Sequence, residues 1–179
     1  MMVQSGRRIV VGADDAGIDM ARKIIAFLTD DPRIEVVSDL SSRNDEMYPE
    51  VAIRVGEGIS RGEFDRGILI CGTGIGVSIT ANKVPGIRAA VIQDQYSLER
   101  SILSNDCQIL CFGSRIIAVP LSLRLVDQWL DINFDSLSKS SLKLSKIADF
   151  ENRLQTELQI NVSGTKWQPI IPTIGEKKP

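Results

Sequence analysis

Short apolar runs alternate with amphipathic stretches along most of the chain. Arg8 to Gly12, Ile34 to Val37, Ile68 to Ile70, Arg88 to Ile92 and Gln108 to Phe112 have the length and aliphatic content of buried strands. Between them the apolar period changes to that of a helix. Ile18, Ala21, Ile24, Ile25 and Leu28 share one face of a first helix, and Val51, Val55 and Ile59 one face of a second. Further helices are expected over Ile75 to Asn82, Tyr96 to Ser104 and Val119 to Leu130. Asp30-Asp31-Pro32 and Lys83-Val84-Pro85-Gly86 act as stops, because the residue before a proline is pushed out of the helical region. Pro120 suits a first helical turn. Asp39 to Glu50, which contains Tyr48-Pro49, reads as a polar loop. The order βαβαβαβαβα implies a five-stranded parallel sheet, doubly wound, in a three-layer α/β/α domain.

After Trp129-Leu130 the composition shifts. Ser136 to Ser145 is rich in serine and lysine, and Leu142 to Leu158 carries Ile147, Phe150 and Leu154 at helical spacing. The pattern divides the chain into an α/β domain over residues 1–132, a C-terminal helix within 133–158 that packs on the domain or on a neighbouring subunit, and an extended tail over 159–179. This tail either wraps a neighbour or is disordered, and Trp167, Ile170 and Ile171 favour wrapping over a bare solvated tail.

Composition narrows the function classes. The 179 residues carry 21 basic and 23 acidic side chains, a net charge of −2, with no basic patch of the kind nucleic acid requires. No run of 18 apolar residues is present, so no membrane partner is expected. The N-terminus lacks the apolar core of a signal peptide, which points to the cytoplasm. Three cysteines argue against a disulfide framework. Cys107 and Cys111, four apart in an expected strand, should lie on one sheet face as small buried hydrophobes. The chain has no histidine. That removes Ser-His-Asp and Cys-His pairs and every histidine-based zinc site, leaving acid–base work to Cys, Asp, Glu, Lys, Tyr or a hydroxyl relay.

The candidate chemistry centres on Gly67-Ile68-Leu69-Ile70-Cys71-Gly72-Thr73-Gly74-Ile75-Gly76-Val77-Ser78-Ile79. A buried strand runs into three alternate glycines and then a helix. This lets backbone N–H groups point at something small and negative. Cys71 and Thr73 fall at the strand's C-terminal end, where Rossmann-like sheets keep their chemistry, and an N–H-rich loop is a setting in which a thiol acidifies. Asp14 and Asp15 occupy the equivalent place after the first strand, either as site residues or as caps of the following helix.

The run from Gly67 to Ala90 resembles the signature of ribose-5-phosphate isomerase B and the galactose-6-phosphate isomerase subunits. The likeness extends through Val11-Gly12-Ala13-Asp14, Tyr48-Pro49, Asp94-Gln95-Tyr96-Ser97, Ser104-Asn105-Asp106, Phe112-Gly113-Ser114-Arg115 and Val126-Asp127-Gln128-Trp129-Leu130, about residues 7 to 132 in all. It implies an aldose–ketose isomerase that works through an enediolate and needs neither metal nor cofactor. Cys71 would move the proton between C1 and C2, and Thr73 would relay protons between the two oxygens. Amides of Gly72, Gly74, Ile75 and Gly76 would hold the enediolate. Asp14 would bind substrate hydroxyls, Tyr48 would line the pocket, Asn105 would bind the oxyanion or a sugar oxygen, and Arg115 would contact phosphate. The resemblance also implies a homodimer or tetramer with the active site at a subunit interface.

The chain departs from that family's pattern at informative places. Asp15 stands where the ribose-5-phosphate enzymes have a histidine, and Ser104 where they have the histidine that opens the furanose ring. Two phosphate-clamping arginines would fall near Ser138 and Leu142; Lys139, Lys143 and Lys146 lie close, as point charges and not bidentate forks. Three readings follow. The first is an isomerase of an acyclic or atypical small sugar phosphate, such as a tetrulose phosphate that cannot close a five-membered hemiketal. The second is a ribose-5-phosphate isomerase with another ring-opening route. The third is a non-catalytic or regulatory paralogue, or one subunit of a heteromer.

Overall fold

The computed structural model describes residues 6–43 and 46–161. Five strands, β1 (Arg7–Ala13), β2 (Ile34–Asp39), β3 (Arg66–Cys71), β4 (Ala89–Val91) and β5 (Ile109–Gly113), pair in the order β2-β1-β3-β5-β4, every pair parallel. Helices α1 (Ile18–Thr29), α2 (Tyr48–Ser60), α3 (Ile75–Ala81), α4 (Gln95–Leu103) and α5 (Val119–Asp131) connect and follow them, and α6 (Ser141–Asn161) ends the described chain. From β1 the chain first steps outward to β2, then returns across β1 to β3. The sheet therefore changes direction between β1 and β3, the place where open α/β sheets leave a crevice at their C-terminal ends.

Strand alternation divides the core in two. Ile9, Val11, Ala13, Ile68, Ile70, Leu110 and Phe112 face α1, α4 and α5. Val10, Leu69, Cys71, Ile109 and Cys111 face α2 and α3. Strands covered on both sides must be apolar at every position, which is why β3 and β5 read as unbroken runs. β3 opens with the buried Arg66. Its guanidinium donates to the carbonyls of Trp129 (2.8 Å) and Ile132 (2.7 Å) at the end of α5 and lies 5.3 Å from the Trp129 ring. Burial pulls its pKa down to about 10.

Three sequence expectations need correction. Tyr48 and Pro49 are not in a loop: α2 begins at Tyr48, with proline in its first turn, where a missing N–H costs nothing. Cys107 and Cys111 do not share a face. β5 starts only at Ile109, after a left-handed residue at Asp106 (φ 44°), so Cys107 joins the α1/α4/α5 core and Cys111 the α2/α3 core. The helix expected to stop at Leu158 runs to Asn161, so the tail expected from Gln159 is helical in its first three residues. The rest of that tail, 162–179, lies outside the described residues. Among the described residues no helix is long and apolar enough to cross a membrane.

Candidate active site

Cys71 is the last residue of β3, in the centre of the sheet, and is 5% exposed. The chain then turns through Gly72-Thr73-Gly74 into α3. Gly74 caps that helix in the left-handed region (φ 78°), and a Cβ there would sit 3.0 Å from the Phe112 carbonyl carbon. Only glycine meets both demands. The turn folds back over the strand end, so that the Gly74 N–H donates to Cys71 Sγ at 3.1 Å, and the Ile75 N–H to Thr73 Oγ1 at 3.3 Å. The next two amides of α3, those of Gly76 and Val77, have no acceptor within their own helix, and the ladder begins with Ser78 N–H on the Gly74 carbonyl (3.2 Å).

Neighbouring elements close around this turn. The chain after β5 is bonded to it: Ser114 N–H donates to the Cys71 carbonyl (2.9 Å) and Arg115 N–H to that of Gly72 (3.1 Å). The Arg115 side chain lies over Gly72, where an added Cβ would be 3.6 Å from its Cδ, Nε and Cζ. Gly12 leaves room for Val51 and Val55 of α2, and α2 in turn lays the Tyr48 ring on Gly76, 2.8 Å from where a Cβ would be. Tyr48 stays 40% exposed, so it forms a wall of the site and is not core.

Asp14 enters from β1. Its N–H donates to the Ile70 carbonyl (3.2 Å), and its Oδ1 accepts the Gly17 N–H (3.2 Å). α1 is capped by Gly17 with no side-chain cap, so neither aspartate is an N-cap. Burial raises the Asp14 pKa above the usual aspartate value. Hydrogen bonds from Gly17 and Ala16 oppose the shift, the Asp15 charge adds to it, and the nearby Arg115 charge offsets part of it. Asp15 is exposed beside it.

Cys71, Thr73, the glycine turn, Asp14, Tyr48 and Arg115 thus gather at one end of the sheet. Ser104 and Asn105 do not. They follow α4, and the Asn105 side chain donates to the Arg100 carbonyl (3.2 Å). Arg88 fixes their turn by donating to the carbonyls of Asn105 (2.8 Å) and Asp106 (2.7 Å) and pairing with the Asp106 carboxylate (2.8 Å). Gly67, at the start of β3, bonds to Gln108, whereas Cys71 pairs with Gly113. Asn105 therefore sits beyond the N-terminal end of strands whose C-terminal end carries Cys71, with about 13 Å of strand between. Among the described residues no cluster of three or more Cys, Asp or Glu side chains is placed to hold a metal.

The strands that gather these groups belong to a known architecture. The family model described as Ribose/Galactose Isomerase matches residues 9–147. The chain belongs to this family and is a sugar-phosphate isomerase. It is 43% identical over 147 residues to D-erythrulose-4-phosphate isomerase 2 of Mycolicibacterium smegmatis, covering 80% of this chain and 97% of that one. It is 37% identical to ribose-5-phosphate isomerase B of Escherichia coli, covering 82% and 98%. Among solved structures, ribose-5-phosphate isomerase B of Clostridium thermocellum superposes with a TM-score of 0.76 at 40% identity, covering 82% of this chain and 99% of that chain.

Proposed function

We propose that the chain interconverts the aldose and ketose forms of a four-carbon sugar phosphate, of the erythrulose 4-phosphate class, through an enediolate. Cys71 is the base that carries the proton between C1 and C2. Amides of the Gly72–Gly76 turn face the oxygen on which charge develops, a preorganised arrangement that favours the intermediate over the ground state. Thr73, exposed on the same turn, relays protons between the two oxygens. Asp14 and Tyr48 orient the hydroxyls, and Arg115 meets the phosphate. No cofactor enters the scheme.

The observation that carries the choice of substrate is the complete lack of histidine. Opening a furanose needs a proton donor and acceptor beside the ring oxygen. Ser104 has a hydroxyl without a useful pKa, and Asp15 is a further carboxylate. A four-carbon ketose phosphate is open already and needs neither. The relatives support this reading: besides the mycobacterial protein, a Pectobacterium atrosepticum protein named D-erythrulose-4-phosphate isomerase is 39% identical. The resemblance to ribose-5-phosphate isomerases favours ribose 5-phosphate as the second reading. In a panel of tetrose, pentose and hexose phosphates, kcat/KM on a four-carbon substrate should exceed that on ribose 5-phosphate by about tenfold or more, about 1.4 kcal/mol in transition-state binding. Faster turnover of ribose 5-phosphate than of every tetrose phosphate overturns the proposal.

The placement of Ser104 and Asn105 supports a second part of the proposal: the working unit is at least a homodimer, in which each Asn105 serves the partner's Cys71. Met47, Tyr48, Ile53, Ile75 and Ile79, all at least 40% exposed on or beside α2 and α3, supply apolar surface next to the site for such a contact.

A further inference from the structure

A cavity of about 250 Å³ opens between the first turns of α1 and the loop after β2, outside the cluster around Cys71. Its apolar part is Ile18 and Ala21; the rest is Arg22, Arg43, Ser41, Ser42 and Asp39. Two guanidinium groups against one carboxylate leave the lining net positive, and that carboxylate is engaged, since Asp39 Oδ1 accepts the Ser41 N–H at 2.9 Å. Arg22 is weakly held: its contact with Asp19 is 3.5 Å long, and the two side chains are 74% and 93% exposed. Arg43 uses its backbone N–H on Glu46 Oε2 (3.1 Å), while both oxygens of Glu46 are taken by the Arg54 guanidinium at 2.7 and 2.9 Å. The Ser41 hydroxyl is closed off from solvent and has no hydrogen-bond partner among the described residues. Such an orphan costs free energy until it finds a partner, and its residue lines the cavity.

The wall of the cavity is built before any ligand arrives. Arg54 also donates to the Leu40 carbonyl (3.1 Å), and the Ser42 hydroxyl to the Glu46 carbonyl (2.8 Å). Leu40 and Ser42 N–H groups extend the β2 ladder onto Val11 (2.8 Å) and Ala13 (2.7 Å), the latter one residue before Asp14. The cavity is thus fixed to the strand that carries Asp14, and lies two strand spacings, about 10 Å, from the end of β3.

We infer that this cavity is an anion subsite for a phosphate monoester. Arg22 and Arg43 supply forked donors that match phosphate oxygens, and Ser41 supplies a hydroxyl. Two sources fit the same chemistry: the phosphate end of the isomerase substrate, in place of the contact proposed for Arg115, or a separate phosphorylated effector that braces the Asp14 turn. The site itself does not depend on the proposed function; only the first source rests on it.

Inorganic phosphate is the probe, titrated by calorimetry into the full chain and into Arg22→Gln, Arg43→Gln and the double variant. Both arginines are exposed, so melting temperatures should stay within a few degrees of the wild type. The double variant should bind phosphate at least about tenfold more weakly. Wild-type affinity in the double variant, or no measurable binding to the wild type, overturns the inference whether or not the protein isomerises any sugar. A parallel rise in KM for the sugar phosphate, with kcat kept and competitive inhibition by phosphate, assigns the subsite to substrate. An unmoved KM with non-competitive modulation assigns it to an effector. Failure of the isomerase proposal shows separately, as lack of turnover in the substrate panel.

Discussion

Cys71 has one neighbour that argues against a merely structural thiol: the Gly74 N–H, directed at its sulfur from 3.1 Å. The other two cysteines are different. Burial pushes the Cys107 thiol up to about 11 and that of Cys111 further still, so neither forms thiolate near neutrality. Cys71→Ala should therefore lower kcat by about 10²–10⁴ while circular dichroism and cooperative melting are retained. Undiminished turnover would move the base elsewhere, with Asp15 the next carboxylate to test. Glycine loop, cysteine and aspartate were legible in the sequence because they are contiguous with strands whose ends are easy to place. The burial that raises the Asp14 pKa was not, since it comes from packing of the Asp14–Gly17 turn against Ile70, distant in the chain.

Among the elements, the loop between β2 and α2 is clamped by the Glu46–Arg54 pair, beside the backbone bonds of Leu40 and Ser42 to β1. The Arg54 guanidinium, and next the Arg43 N–H, hold the Glu46 carboxyl down at about 2, against an ordinary value near 4.5. A depressed carboxylate stabilises above its unfolded pKa and loses that contribution as pH falls through the folded one. The loop should therefore stay protected at pH 5 and open progressively between about pH 4.5 and pH 2. Hydrogen exchange on residues 39–43 reads this, and Glu46→Gln should give the low-pH exchange rates at neutral pH. Equal protection of that variant and the wild type at neutral pH counts against the clamp. The same loop shows where pattern reading stopped. Its polar character was plain, but the cavity it makes with Ile18, Ala21 and Arg22 joins stretches some twenty residues apart, and no local period encodes that. The polar pattern of Asp39 to Glu50 hides the start of α2 at Tyr48-Pro49, because proline, a breaker inside helices, is a starter at a first turn. Cys107 lies off the face of Cys111 for a related reason: an i, i+4 rule holds only within one strand, and Asp106 turns the chain just before it.

For the whole molecule, the five-stranded parallel sheet was legible in the βα alternation, but its strand order and the separation of Cys71 from Asn105 became visible only with the strand pairing and the register of β3 on β5. Subunits of Cys71→Ala and Asn105→Ala, each inactive alone, should complement each other when mixed and allowed to exchange. Half of randomly paired dimers are hybrids and each has one intact site, so activity should recover to about a quarter of the wild-type level. Absence of recovery, with exchange verified by mass, would place Asn105 outside the site.

In the proposed dimer the two ends of the sheet would also fix the rate law. When the base is at one end of a subunit and the sugar-facing amide at the other, a lone chain holds two half-sites and no whole one. Catalysis is then first order in protein only while subunits remain paired. Below the dimer dissociation constant it becomes second order, and specific activity falls with dilution although every chain stays folded. In that assembly each subunit would report the abundance of its own kind.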